Sequence, residues 1–114
     1  MDSTARQFEP AVSLLEAKRY DVGELQSSLL KLLEPLGGMG AFVSPGDRVL
    51  LKPNLLTGSR PTKECTTRPE VIYCVAKMVQ AAGGKPFLGD SPAFGSARGV
   101  AEANGLLPWA DKAD

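Results

Sequence analysis

Ser44-Pro45-Gly46-Asp47-Arg48-Val49-Leu50-Leu51-Lys52-Pro53-Asn54 passes from a turn into a strand and out again. Pro45 presets φ at the second position of the turn, and Gly46 accepts the positive φ that a type II turn needs at the third. Arg48 to Lys52 follows with a continuous apolar centre, which predicts a parallel strand buried on both faces. Pro53 cannot donate to a ladder, so the strand stops there.

The segments on either side read as helices. Downstream, Thr67-Arg68-Pro69-Glu70 opens one, with Thr67 and Glu70 at capping-box spacing and Pro69 in the first turn, where its missing N–H is not needed. Val71, Ile72, Val75, Met78, Val79 and Ala82 form its apolar face, and Gly83-Gly84 ends it. Upstream, Asp21 and Glu24 share the same capping spacing. Val22, Leu25, Leu29, Leu32, Leu33 and Leu36 recur on one helical face, and Gly37-Gly38 supply a left-handed stop.

Outward again, Lys85 to Gly89 is a short third strand in which Pro86 suits a first position or an edge. Ser96 or a neighbour starts a further helix that runs through Asn104 to Gly105. At the other end, Ala11 to Leu15 reads as a strand, although Leu14, Leu15 and Ala17 also fit a helix. Residues 1–10 read as a flexible tail, and residues 11–114 as the N-terminal part of a single α/β domain. The expected class is α/β, a partial open parallel sheet in β-α-β-α-β-α order. Three strands are few for such a sheet, and another is due after the last helix, so the sheet reads as truncated. An incomplete sheet offers an unpaired edge through which chains associate.

Composition narrows the function classes. The chain has 114 residues, with 13 basic and 13 acidic side chains and no histidine. The cations are scattered, which argues against nucleic acid or an anionic membrane as partner. No apolar run nears the roughly 20 residues of a membrane span, and the polar N-terminus lacks a signal peptide, so a cytoplasmic location is expected. The two cysteines, Cys65 and Cys74, lack C-x-x-C spacing. Cys65 falls in the Asn54–Cys65 loop and Cys74 reads as a half-buried helix residue; no metal site is expected. Without histidine the chain has no Ser-His-Asp triad, and it carries no G-x-G-x-x-G or Walker A motif.

In an open α/β sheet ligands bind beyond the carboxyl ends of the strands. Lys52-Pro53-Asn54, Thr66-Thr67-Arg68 and Asp90-Ser91 all fall there. Two cations, an amide, hydroxyls and a helix N-terminus suit a small anionic ligand. Each feature also has a plain structural reading. Lys52-Pro53-Asn54 can end a strand, Thr67 can cap a helix, Asp90-Ser91-Pro92 can be a turn, and Arg68 can be a solvated charge. The functional reading rests on their convergence at one edge.

The motifs Lys52-Pro53-Asn54, Thr66-Thr67-Arg68-Pro69-Glu70 and Gly89-Asp90-Ser91-Pro92, in that order, resemble the family known as domain of unknown function 362, which reads K-P-N, T-T-H-P-E and G-D-S-P. The resemblance runs from about Ala11 to about Leu107 and corresponds to the N-terminal part of the family's domain. It implies a longer α/β domain, joined in many members to a ferredoxin-like segment with 4Fe–4S clusters. The family positions map onto Lys52, Asn54, Thr66, Thr67, Asp90 and Ser91. Arg68 stands where the family usually has histidine, which puts proton transfer at that position in doubt. The resemblance places any cluster outside this chain, in a C-terminal region, and names no catalytic residue. The reading that results is the anion-binding front of an iron–sulfur-associated α/β protein. The alternatives are a non-catalytic module that binds a small molecule or a protein, or an inactive remnant.

Overall fold

The computed structural model describes residues 11–54 and 67–89. They form helix α1 (Val22–Leu33), two short 3-10 turns (Glu34–Leu36 and Met39–Ala41), strand β1 (Arg48–Leu51), helix α2 (Pro69–Ala81) and strand β2 (Lys85–Leu88). The strands pair in parallel, with Arg48 opposite Lys85 and Leu51 opposite Leu88. Helix α2 connects them and packs on both; its other neighbour is α1. The architecture is therefore α/β with a two-stranded parallel sheet among the described residues.

Local chemistry accounts for the start and stop of α1. The Asp21 carboxylate accepts the Glu24 N–H at 2.9 Å, as the spacing predicts. Glu24 does not reach back to complete the box; it pairs instead with Arg19, on the exposed surface. At the other end Gly37 takes φ 101° and the Gly38 N–H reaches the Leu33 carbonyl at 2.8 Å.

The turn before β1 forms as read, with the Asp47 N–H donating to the Ser44 carbonyl at 3.1 Å and Gly46 at φ 89°. It then docks on the turn that ends α2. The Gly46 N–H donates to the Gly83 carbonyl at 2.8 Å, and the Lys85 N–H donates to the Asp47 carbonyl at 2.7 Å. Gly83 lies at φ 90° against Pro45, where a Cβ would come within 2.9 Å of the Pro45 Cα. Beside it, Gly84 is enclosed by Val43, Val49 and Val79.

The core gathers around α2. Ile72, Cys74, Ala76, Met78 and Val79 are buried, together with Leu25 of α1 and Val43. This arc is wider than the apolar face in the sequence, because α2 meets α1 as well as the strands. Cys74 is fully buried rather than half-buried, with its Sγ 3.5 Å from the Val22 carbonyl of α1.

Three expectations are corrected. Ala11–Leu15 forms no strand; Val12 and Leu14 are 94% and 92% exposed, and a strand needs a ladder partner that this run does not meet among the described residues. The described order is consequently α-β-α-β rather than one that begins with a strand. β1 is not buried on both faces: Val49 and Leu51 are sheltered, while Leu50 is 52% exposed. The flexible tail, Cys65 and the helix over Ser96–Asn104 lie outside the described residues.

A Cβ at Gly84 would sit 2.7 Å from Val43 Cγ1 and 2.8 Å from Val79 Cγ1. Gly84→Ala is expected to destabilise the fold by about 1–3 kcal/mol, the usual range for overpacking, measured as a lowered urea midpoint.

Candidate functional site

β1 delivers Lys52, Pro53 and Asn54 to the carboxyl edge of the sheet. Pro53 is buried and anchors the exit from the strand, while Lys52 and Asn54 are exposed. The Asn54 N–H donates to Thr67 Oγ1 at 3.0 Å, and the Thr67 N–H donates back to the Asn54 carbonyl at 3.1 Å. This reciprocal pair joins the end of β1 to the start of α2. It brings Lys52, Asn54, Thr67 and Arg68 to one edge.

The pair also corrects the helix cap. Thr67 spends its hydroxyl on Asn54, and the N-cap of α2 is Arg68, with Pro69 directly after it. The Arg68 carbonyl accepts from the Val71 and Ile72 N–H groups at 3.1 and 3.3 Å. The cap is thus made by backbone alone, since Arg68 has no side-chain acceptor to offer.

Arg68 is not the solvated charge of the plain reading. Its guanidinium donates from Nη2 to Glu70 Oε2 at 2.7 Å and stacks on the Tyr20 ring with 4.5 Å from Cζ to the centroid. Both members of the ion pair are largely sheltered, with side chains 24% and 14% exposed. Glu70 also lies in the first turn of α2, where its negative charge complements the helix dipole. An anion approaching this terminus meets Glu70 as a competitor for Arg68. Sequence reasoning placed Glu70 in a capping box and missed its bond to Arg68. Tyr20 had no signal in the sequence at all, since its role depends on how the segment before α1 lies against α2.

An arginine is charged at all accessible pH, so position 68 supplies electrostatics and donors rather than a titrating proton. Burial pushes the Cys74 thiol above its ordinary range, and the carboxylates of Asp21 and Glu70 add to the effect. Cys74 is therefore a protonated core residue rather than a nucleophile or ligand. The chain has two cysteines, too few for the four thiolates of a 4Fe–4S cluster, and Cys74 faces the core. The residues present do not fit such a cluster. Among the described residues no group of three or more His, Cys, Asp or Glu is placed to hold a metal.

Thr66, Asp90 and Ser91 lie outside the described residues. Gly89 is described: its N–H donates to the Leu51 carbonyl at 3.1 Å, so β2 ends level with β1. A surface groove of 580 Å³ at the start of α1 is lined by Lys18, Arg19, Asp21 and Glu24, and by none of the sequence-derived candidates.

Residues 49–114 match the model of a family described as a domain of unknown function (DUF362). That segment holds all three motifs. A thylakoid-associated protein of Synechocystis sp. is 72% identical over 98 residues, which cover 86% of this chain and 30% of that protein. The chain spans 30% of the length of the curated relative it matches. No solved structure matches it.

Arg68→Ala would leave the sheltered Glu70 carboxylate without its guanidinium and remove the Tyr20 stack. The expected loss is about 1–3 kcal/mol of stability by urea unfolding. Arg68→Lys should recover only part of it, because an ammonium lacks the planar fork that bonds Glu70 while stacking on Tyr20.

Proposed function

The chain belongs to the DUF362 family, and from that premise we propose that it supplies an anion-binding edge to a longer, iron–sulfur-associated α/β protein. The observation that carries this reading is the Asn54–Thr67 pair, which ties the end of β1 to the N-terminus of α2. Lys52 brings positive charge from the strand and Arg68 from the helix. The peptide N–H of Glu70 and the hydroxyls of Thr66, Thr67 and Ser91 add donors. Asp90 would orient a hydroxyl of the ligand. The ligand class is a small molecule with a phosphate or carboxylate group.

The longer protein, and any 4Fe–4S cluster in its C-terminal region, come from the family resemblance. The match that covers 30% of the relative supports the longer protein; the cluster rests on the resemblance alone. We place the chain in the cytoplasm. No helix among the described residues is long and apolar enough to cross a membrane. The Synechocystis protein is named for its thylakoid association; carried to this chain, that association is peripheral, on the cytoplasmic side. Nucleic acid is not a partner in this reading.

A second reading is favoured by Arg68 itself. Held by Glu70 and Tyr20 at the family's histidine position, it turns the edge into a binding site without proton transfer. The two readings share one ligand chemistry and differ in whether turnover follows binding.

Titration calorimetry of the whole chain with inorganic phosphate tests the site. Lys52 is exposed, and Lys52→Ala should weaken phosphate binding about tenfold, the worth of one charge-assisted hydrogen bond. Unchanged affinity in Lys52→Ala, or no phosphate binding by the parent chain, would show that the anion site is wrongly placed.

A further inference from the structure

Tyr20 lies before the segment that matches the family, yet it touches a residue of the candidate edge, Arg68. Its neighbours on both sides are tied to α1. Arg19 pairs with Glu24. Asp21 accepts the Glu24 N–H on its carboxylate at 2.9 Å and the Leu25 N–H on its carbonyl at 2.8 Å. The next carbonyl, that of Val22, meets Cys74 Sγ of α2 at 3.5 Å. The start of α1 is thereby set against α2, and position 20 is delivered to the helix terminus that carries Arg68.

Glu70 and Tyr20 hold the Arg68 guanidinium in different ways. Glu70 Oε2 accepts from Nη2 at 2.7 Å. Such a bond fixes how far the fork has turned within its own plane, since its N–H donors all lie in that plane. The Tyr20 ring lies against the face of the guanidinium, 4.5 Å from Cζ. A ring on the face fixes the plane and leaves rotation within it open, because the attraction is to the ring's quadrupole and not to one donor. The ring also shields that face from water, which strengthens whatever charge-assisted bond the fork makes.

We propose that Tyr20 is a positioning residue of the anion edge: it is the pivot on which Arg68 turns from Glu70 to a phosphate or carboxylate of the ligand. The pivot rests on the anion-binding reading of the same edge. Glu70 is then the resident anion that the ligand displaces. Exchanging a carboxylate oxygen for a ligand oxygen on the fork keeps a charge-assisted bond at Arg68 throughout. The Tyr20 stack survives the exchange, because the guanidinium turns within the plane that the ring defines. Glu70, once released, stays in the first turn of α2, where the helix dipole supports its charge. Resting affinity for an anion is therefore lower than the cations of the edge would give with Glu70 neutral.

Titration calorimetry of the full chain with inorganic phosphate separates the two roles. Tyr20→Phe keeps the ring and should bind phosphate as the parent does. Tyr20→Leu keeps apolar bulk without a π face and should bind about fivefold more weakly, the worth of a cation–π contact. Glu70→Gln keeps the side chain's shape, removes the resident charge, and should bind about tenfold more tightly. A gain in affinity cannot come from loss of the fold, and unchanged helical circular dichroism shows that Tyr20→Leu is folded. Tyr20→Leu indistinguishable from Tyr20→Phe, or Glu70→Gln no tighter than the parent, overturns the proposal. If Lys52→Ala still weakens binding in that case, the edge binds anions and only the pivot is wrong. If neither the parent nor Glu70→Gln binds phosphate, the pivot falls together with the anion site.

Discussion

The contact between two glycine turns holds this structure in register. Gly46 and Gly83 both adopt positive φ, and each turn completes the other: the Gly46 N–H bonds to the Gly83 carbonyl, while Pro45 fills the space beside Gly83 that a Cβ would need. From there the ladder runs from Lys85 on Asp47 to Gly89 on Leu51. A slip of one residue would turn Val49 away from Val79 and Leu50 toward it. Because Gly84 has no side chain, Val43, Val49 and Val79 close around it. The carboxyl edge of the sheet is the far end of the same register, so the positions of Lys52 and Asn54 relative to α2 follow from it.

Much of this was legible from residues whose effect is local. Asp21 as a cap, Pro45-Gly46 as a turn, and Gly37 and Gly83 as stops each act within four or five residues. Their geometry follows from backbone sterics. The errors came where a distant partner decides. Ala11–Leu15 has strand-like composition, yet a strand exists only through its neighbour. Thr67 had every local reason to cap α2, but the Asn54 peptide took its hydroxyl and the cap passed to Arg68. The continuous apolar run Val49-Leu50-Leu51 suggested two buried faces, and the described residues cover one. At the candidate site the positions of Lys52, Asn54, Thr67 and Arg68 were readable from the strand-end rule. The Glu70 and Tyr20 contacts of Arg68 were not, since they depend on how α1's leader meets α2.

The matched segment begins at residue 49, inside β1, and takes in all the motif residues. Among the described residues, Lys52, Asn54, Thr67 and Arg68 lie at the edge where α/β sheets bind ligands. Within that edge the division of labour is physical. Lys52 is exposed, whereas Arg68 is built into the packing by Glu70 and Tyr20. A ligand that draws on Arg68 must compete with a sheltered carboxylate, which favours small, strongly charged anions over weakly charged ones.

Native-state hydrogen exchange tests the turn-to-turn lock most directly. The amides of Gly46, Lys85 and Gly89 should exchange as slowly as those in the middle of α2 and open with the same urea dependence, because one cooperative unit holds them. If the Gly46 and Lys85 amides instead exchange as fast as those of the exposed residues before α1 while α2 stays protected, the two glycine turns do not set the register, and the placement of the carboxyl edge loses its foundation.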